Sequence, residues 1–281
     1  MTLARTADVV SAAATAREGV GAFNVITLEH AEAIALGVET AGRSGILQIS
    51  ENAVRFHGGQ LDPIASAVVA VAEQARVPLA VHLDHIEDDS LLRQAAGLGI
   101  SSVMYDASKR DYDANVMATR QAADWAHEQG LWIEAELGEI GGKDGAHAPG
   151  VRTDPDEAFE YVAATSVDGL AVAVGSSHAM VERTAELDLT LIRDLARKLP
   201  VPLVLHGSSG VADVHLSAAV SAGIVKVNIG TILNVAFTTA VRDRLAADPD
   251  LVDPRAYLRS AREAIATEVT RLATVVSGRQ P

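Results

Sequence analysis

The sequence contains no cysteine. That excludes a disulfide, a thiolate nucleophile and thiolate-bound zinc, so any transition-metal site has to be built from histidine with aspartate or glutamate. Aromatic residues make up only 4%, and an apolar fraction of 48% rich in alanine and valine suits strands and helices packed closely together. No apolar run approaches the roughly 20 residues needed to cross a bilayer. The N-terminal stretch lacks the continuous apolar core of a signal peptide, and Asp8 and Glu18 argue against a transit sequence. An amphipathic helix and a cytoplasmic location are expected instead. Positive charge is also short, with 23 Lys and Arg against 37 Asp and Glu and a net charge of −14. A phosphate backbone is a poor partner for such a chain, so neither nucleic acid nor membrane is expected. Local backbone amides and a few cations can still hold a small anion.

What is present is a rhythm. Short apolar runs at 21–26, 45–50, 79–85, 101–106, 131–137, 169–174, 202–206 and 225–229 alternate with helical patterns at 27–42, 62–76, 88–98, 113–129, 154–165, 188–199, 213–222 and 232–247. Asp, Thr or Ser precedes many of the helices, and Gly or Pro follows many of them, as capping chemistry prefers. No Pro/Ser-rich linker divides the series, so residues 1–281 are expected to form one domain. Eight strand–helix units predict a (β/α)8 TIM barrel rather than an open doubly wound sheet, where five or six strands are usual. A last helix, 254–276, stands outside the repeat.

In such barrels, catalytic groups sit at the C-terminal ends of the strands. Here those ends carry Asn24, Ser50, Asp84, His85, Asp106, Glu134, Glu136, His178, His206 and Asn228. The densest is L-A-V-H-L-D-H at 79–85, an apolar strand ending in an aspartate between two histidines. Glu134 and Glu136 share a strand face, and pointing inward toward a cation is cheaper than burying two carboxylates against helices. His85, His178 and His206 come from three strands and together offer the three-imidazole set of catalytic zinc. Taken singly, each reads better as a hydrogen-bonded core or surface histidine, as His30, His57, His127 and His215 are read, with His82 as a core or supporting group. Asp84 is close enough to His85 to move protons there or to orient a histidine. Asp106 and Glu136 could hold a second cation or form internal salt bridges. Two turns, L-H-G-S-S-G at 205–210 and V-N-I-G-T at 227–231, place amides and hydroxyls at helix entrances after strands 7 and 8, where barrels often bind phosphate.

Taken in order, V-H-L-D-H, S-V-M-Y-D-A-S, E-A-E-L-G-E-I-G-G, L-A-V-A-V-G-S-S-H, L-V-L-H-G-S-S-G and K-V-N-I-G-T strongly resemble the metal-dependent class II aldolases, the family of fructose-bisphosphate and tagatose-bisphosphate aldolases. The resemblance runs from residue 21 to the final helix. It implies catalytic Zn2+ on His85, His178 and His206, with Asp106 and Glu136 at a second position for a divalent or monovalent cation. It makes Asp84 the group that exchanges a proton with the hydroxyl at the cleaved bond. Gly207, Ser208, Ser209, Asn228, Gly230 and Thr231 would hold the dihydroxyacetone phosphate half of a ketose phosphate. Ser50 and Arg259 match positions holding the distal phosphate, the arginine across a homodimer or homotetramer contact. Fructose 1,6-bisphosphate is the default substrate, with tagatose 1,6-bisphosphate or a deoxy-sugar-acid phosphate as alternatives.

The sequence also departs from the family. After the double glycine it has Lys143 and Asp144 where most members carry a glutamate next to an aspartate, leaving Asp144 the nearest substitute for the carbon base. Ala179 replaces a glycine, and Val181 stands near a missing tyrosine. Three rival readings follow from the residues: a Schiff-base aldolase using Lys226, a metal-dependent hydrolase of the barrel class, and a phosphosugar-binding relative without activity.

Overall fold

The computed structural model describes residues 2–137, 152–176 and 183–278. Strands β1 (Val20–Asn24), β2 (Gly45–Ser50), β3 (Leu79–Ile86), β4 (Ser102–Tyr105), β5 (Trp132–Glu136), β6 (Gly169–Ala171), β7 (Leu203–Leu205) and β8 (Ile224–Ile229) pair in parallel in that order. Strand β8 closes on β1, so no sheet edge is left. The helices among the described residues are α1 (Thr6–Ala16), α2 (Leu28–Ala41), α3 (Glu51–Phe56), α4 (Leu61–Gln74), α5 (Asp89–Gln94), α6 (Tyr112–Glu128), α7 (Pro155–Thr165), α8 (Leu189–Lys198), α9 (Asp213–Ala222), α10 (Thr231–Ala247) and α11 (Pro254–Val276). The expected (β/α)8 barrel with an added C-terminal helix is therefore the observed fold. No described helix is long and apolar enough to cross a membrane.

Strand residues alternate between two cores, as the two-residue period requires. Phe23, Leu47, Ile49, Val81, Leu83, Val103 and Ile133 face the helical shell. Val20, Ala22, Ile46, Ala80 and Trp132 point into the barrel, where Val9 and Val10 of α1 pack against them. Helix α1 covers the N-terminal mouth, and Thr6 Oγ1 meets Ser102 Oγ at 2.6 Å. One step up each strand on the same inward face, the apolar layer gives way to Gln48, His82, Glu134 and Lys226, all fully buried or nearly so. The next step carries Asp84, Glu136 and Asn228.

Three details differ from the sequence expectation. The short helix α3 follows β2 directly, begun by Ser50 Oγ, which accepts from the Ala53 amide at 3.2 Å. Strands β6 and β7 are three residues each, because an apolar run reports burial and not ladder pairing; residues 172–174 are buried but lie outside the strand. Strand β3 runs one residue further, to Ile86, and its register with β4 slips between Leu83 and Ile86.

Helix α11 packs along α2, where Gly37 lets the two backbones approach. A Cβ at Gly37 would lie 2.6 Å from Val269 Cβ and 2.8 Å from the Ala266 carbonyl. In an exposed helix, Gly→Ala stabilises by about 1 kcal/mol. Gly37→Ala is expected to destabilise by about 1–3 kcal/mol instead, through overpacking, which urea unfolding of the variant against wild type measures.

Candidate active site

The strand ends converge on a pair of imidazoles. His206, just past β7, is fully buried, and its Nδ1 lies 3.0 Å from His85 Nε2. By strict alternation His85 would face the helices, since its neighbour Asp84 faces the barrel. The register slip in β3, together with a left-handed backbone at His85 (φ 52°), turns its ring into the site. That conformation costs roughly 1–3 kcal/mol in a non-glycine residue and is tolerated where the surroundings over-determine it. Here Asp106 Oδ2 accepts from His85 Nδ1 at 2.8 Å. Asp106 is itself held by the Ser108 hydroxyl at 2.6 Å and the Ser108 amide at 3.1 Å.

The proton positions follow from the partners, because a carboxylate only accepts. His85 donates to Asp106 through Nδ1, and His206 donates through Nε2 to Glu134 Oε1 at 2.9 Å. The remaining nitrogens, His85 Nε2 and His206 Nδ1, face one another: without a cation the protonated His85 ring donates through Nε2 to His206 Nδ1, and a metal that displaces this proton would meet two ring nitrogens backed by carboxylates. Two overlapping donor sets result, Asp84 with His85 and His206, and His85 with Asp106 and Glu136, each with ligand atoms within 4.8 Å of one another. Nitrogen and carboxylate oxygen without sulfur suit a borderline or hard divalent cation.

The electrostatics agree. Burial acts to lower the His85 pKa, but Asp84, the Asp106 hydrogen bond and Glu136 outweigh it and push it up to about 10. Asp106 is held well below the usual carboxylate range: its hydrogen bond and charge interaction with His85, and the Ser108 bonds, overcome the opposing effect of burial. Asp84 is raised, chiefly by burial, against the pull of His85 and Lys226. Its two oxygens accept from Gln48 Nε2 at 3.3 Å and Asn228 Nδ2 at 3.2 Å. His82 is pushed far below its ordinary pKa, first by burial and then by Lys226. Its Nδ1 meets Ser102 Oγ at 2.8 Å and its Nε2 lies 3.9 Å from Asp84 Oδ1.

The two glycine-containing turns meet beside this cluster. Gly207 takes the left-handed conformation (φ 66°) that starts the tight turn Ser208–Gly210. Ser208 Oγ donates to the Asn228 carbonyl at 2.5 Å, and Ser209 Oγ accepts from the Ile232 amide at 3.1 Å, capping α10. Gly230 sits against the Asn24 side chain, and Thr231 opens α10. Ser50 lies opposite Asp84 in the β2–β3 register. Arg259 is exposed on α11, and no described contact joins it to the strand-end cluster. His178, Lys143, Asp144, Ala179 and Val181 lie outside the described residues. His57 bonds the Ile26 carbonyl, His30 bonds Thr27 and stacks on Phe237, His127 pairs with Asp168, and His215 is exposed.

Sequence reasoning passed over Gln48, whose Nε2 reaches both Asp84 and Asn24; its place two residues before Ser50, on the same strand face, was the available signal. Lys226 enters the sequence reading only as the nucleophile that the rival Schiff-base aldolase would need. The ammonium is fully buried and engaged by Glu134 Oε2 at 2.8 Å and Asn228 Oδ1 at 2.7 Å.

Comparison with known proteins agrees along the length of the chain. The family model described as fructose-bisphosphate aldolase class-II matches residues 4–279. The chain is 37% identical over 276 residues to the fructose-bisphosphate aldolase of Geobacillus stearothermophilus, covering 96% of this chain and 95% of that one. It is 38% identical over 258 residues to a probable fructose-bisphosphate aldolase of Bacillus subtilis, covering 89% and 90%. Among solved structures, the YdjI aldolase from Escherichia coli K12 superposes with a TM-score of 0.86 at 29% identity, covering 98% of each chain.

If the facing nitrogens are the metal donors, His85→Ala and His206→Ala will each lower affinity for a divalent metal by at least about 100-fold, by analogy with the cost of disturbing such sites. Elemental analysis after dialysis against a weak chelator, with circular dichroism to verify folding, checks this.

Proposed function

The chain belongs to the class II fructose-bisphosphate aldolase family, and on that footing we propose that it cleaves a ketose bisphosphate between C3 and C4 with zinc as its metal. The observation that carries the reading is the meeting of His85 Nε2 and His206 Nδ1 at 3.0 Å, beside Asp84 and next to the two turns after β7 and β8. His85 and His206, with His178, would hold the zinc, and Asp106 with Glu136 would serve a second cation position. When bound, the metal supplies a Lewis acid that polarises the ketose carbonyl and eases the charge left on the neighbouring carbon.

The chain's own groups do the rest. Asp84 takes the proton of the C4 hydroxyl as the bond to C3 breaks, so the distal half leaves as an aldehyde, and returns it in condensation. Gln48 and Asn228 hold its carboxylate in place for this transfer. C3 of the dihydroxyacetone half takes up a proton in turn, with Asp144 the nearest substitute for the group that gives it. Gly207, Ser208, Ser209, Asn228, Gly230 and Thr231 would offer amides and hydroxyls to the phosphate-bearing dihydroxyacetone half, and Asn228 donates to Asp84 beside them. Ser50 and Arg259 would bind the distal phosphate, the arginine from a neighbouring subunit of a homodimer or homotetramer. We read residues 1–281 as one catalytic unit working in the cytoplasm. Fructose 1,6-bisphosphate is the first substrate to try. Ala179 and Val181, at positions that border the phosphate pocket in the family, favour as a second reading another ketose phosphate such as tagatose 1,6-bisphosphate or a deoxy-sugar-acid phosphate.

Cleavage of fructose 1,6-bisphosphate, with coupled detection of dihydroxyacetone phosphate, is expected from the native protein, lost on chelation and regained with zinc. Asp84→Ala is expected to reduce kcat by about 10²–10⁴-fold while keeping its zinc. Failure of the zinc-loaded protein on this substrate, with success on another of the panel, would move the assignment to the second reading.

A further inference from the structure

A buried pair, Lys226 and Glu134, lies under the site and touches neither bulk solvent nor the place where substrate enters. Both side chains are fully buried, 92 residues apart in sequence, on β8 and β5. Each has two partners. Glu134 Oε2 accepts from Lys226 Nζ at 2.8 Å, and its Oε1 accepts from His206 Nε2 at 2.9 Å. Lys226 Nζ also donates to Asn228 Oδ1 at 2.7 Å.

The orientation of Asn228 follows from that last bond. An ammonium can only donate, so the amide must turn its oxygen toward Lys226 and its NH2 toward Asp84 Oδ1, at 3.2 Å. The same NH2 lies 3.0 Å from His206 Nε2. A ring nitrogen has one in-plane site, and Glu134 has no proton to give, so Nε2 keeps its hydrogen for Glu134. His206 Nδ1 is thereby left with a lone pair facing His85.

We propose that Lys226 and Glu134 are positioning residues for the metal and for the proton carrier: Glu134 fixes the His206 tautomer that presents Nδ1 to the metal, and Lys226 locks both Glu134 and the Asn228 amide that holds Asp84. The inference rests on the reading of His206 as a metal ligand. It assigns Lys226 an orienting role in place of a nucleophilic one.

The chemistry of a single isosteric change makes this testable. In Glu134→Gln the one amide oxygen has two donors to satisfy. Placing the NH2 against the Lys226 ammonium is repulsive, so the oxygen goes to Lys226 and the NH2 faces His206 Nε2. That nitrogen must then accept, and the ring proton moves to Nδ1, where it blocks metal binding. Glu134→Gln is therefore expected to bind zinc about 10–100-fold more weakly, the usual range for residues that back metal ligands. Adding Lys226→Met frees the amide to turn its oxygen back to His206. The double variant is expected to recover most of the zinc affinity while kcat stays low, because Asn228 has lost the partner that orients it.

Zinc affinity by competition with a chromophoric chelator, and ¹⁵N shifts of the His206 ring in metal-free protein, give the readouts. Recovery in the double variant is the result that general damage to the barrel would not produce. Wild-type affinity in Glu134→Gln, or no recovery in the double variant, overturns the proposal. If Glu134→Gln does not fold, the wild-type ¹⁵N spectrum decides alone: a proton on Nε2 supports the proposal and one on Nδ1 overturns it. Wild-type protein that binds no zinc would defeat the ligand reading, and the tautomer measurement would still test the role of Glu134 independently.

Discussion

Four carboxylates crowd the C-terminal end of the barrel interior, and the described strands set the ammonium of Lys226 among them. Asp84, Glu134 and Glu136 are buried and Asp106 is nearly so. Bringing like charges together in a medium poorer in water than the surface is costly unless positive charge is drawn in. Lys226 answers for Glu134. Asp84, Asp106 and Glu136 are left to act on His85, and the rise of its pKa to about 10 registers their combined demand. A divalent cation held by His85 and His206 would meet the same demand with more charge, which would give the acidity of this site and the family's metal dependence one cause.

The barrel makes this arrangement possible by keeping its polar layer narrow. Below it, Val20, Ile46, Ala80 and Trp132 pack against α1 and exclude water from the lower mouth. Thr6 of α1, Ser102 and His82 form a hydrogen-bonded chain that climbs from that plug to within 3.9 Å of Asp84. At β3 regular pleating fails, and the failure is useful: two consecutive residues, Asp84 and His85, both reach the site because the slip turns one of them through the strand.

Much of this was legible in the sequence, for reasons that can be named. Eight apolar runs with capped helices between them record burial and chain reversal, which are local properties, and they specify the barrel. A histidine or carboxylate at the end of a run marks the catalytic face, so His85, His206, Asp106 and Glu136 could be singled out without knowing their distances. The common inward face of Glu134 and Glu136 followed from the period of a strand. What could not be read is the pairing of one strand's side chain with another's. Lys226 looked like a reactive amine because its partners, Glu134 across the barrel and Asn228 turned to meet it, are visible only in three dimensions. Helix α3 was missed because six residues carry too little periodicity, although Ser50 is the hydroxyl that starts it.

The position of Lys226 also bears on why a barrel holding a buried lysine should depend on a metal. A lysine that forms a Schiff base must meet its carbonyl as a neutral amine with room to attack. Lys226 sits one layer below Asp84 and Asn228, and both of its bonds are to oxygens that reward the charged form. Freeing it would strand Glu134 as an unpaired buried carboxylate, a change that typically costs several kcal/mol. An electron sink would then be drawn from the layer above, where Asp84, Asp106, Glu136 and the two facing ring nitrogens lie. On this reading the interior would divide its positive charge by height, with the Lys226 ammonium holding side chains in register below and an exchangeable cation meeting the substrate above.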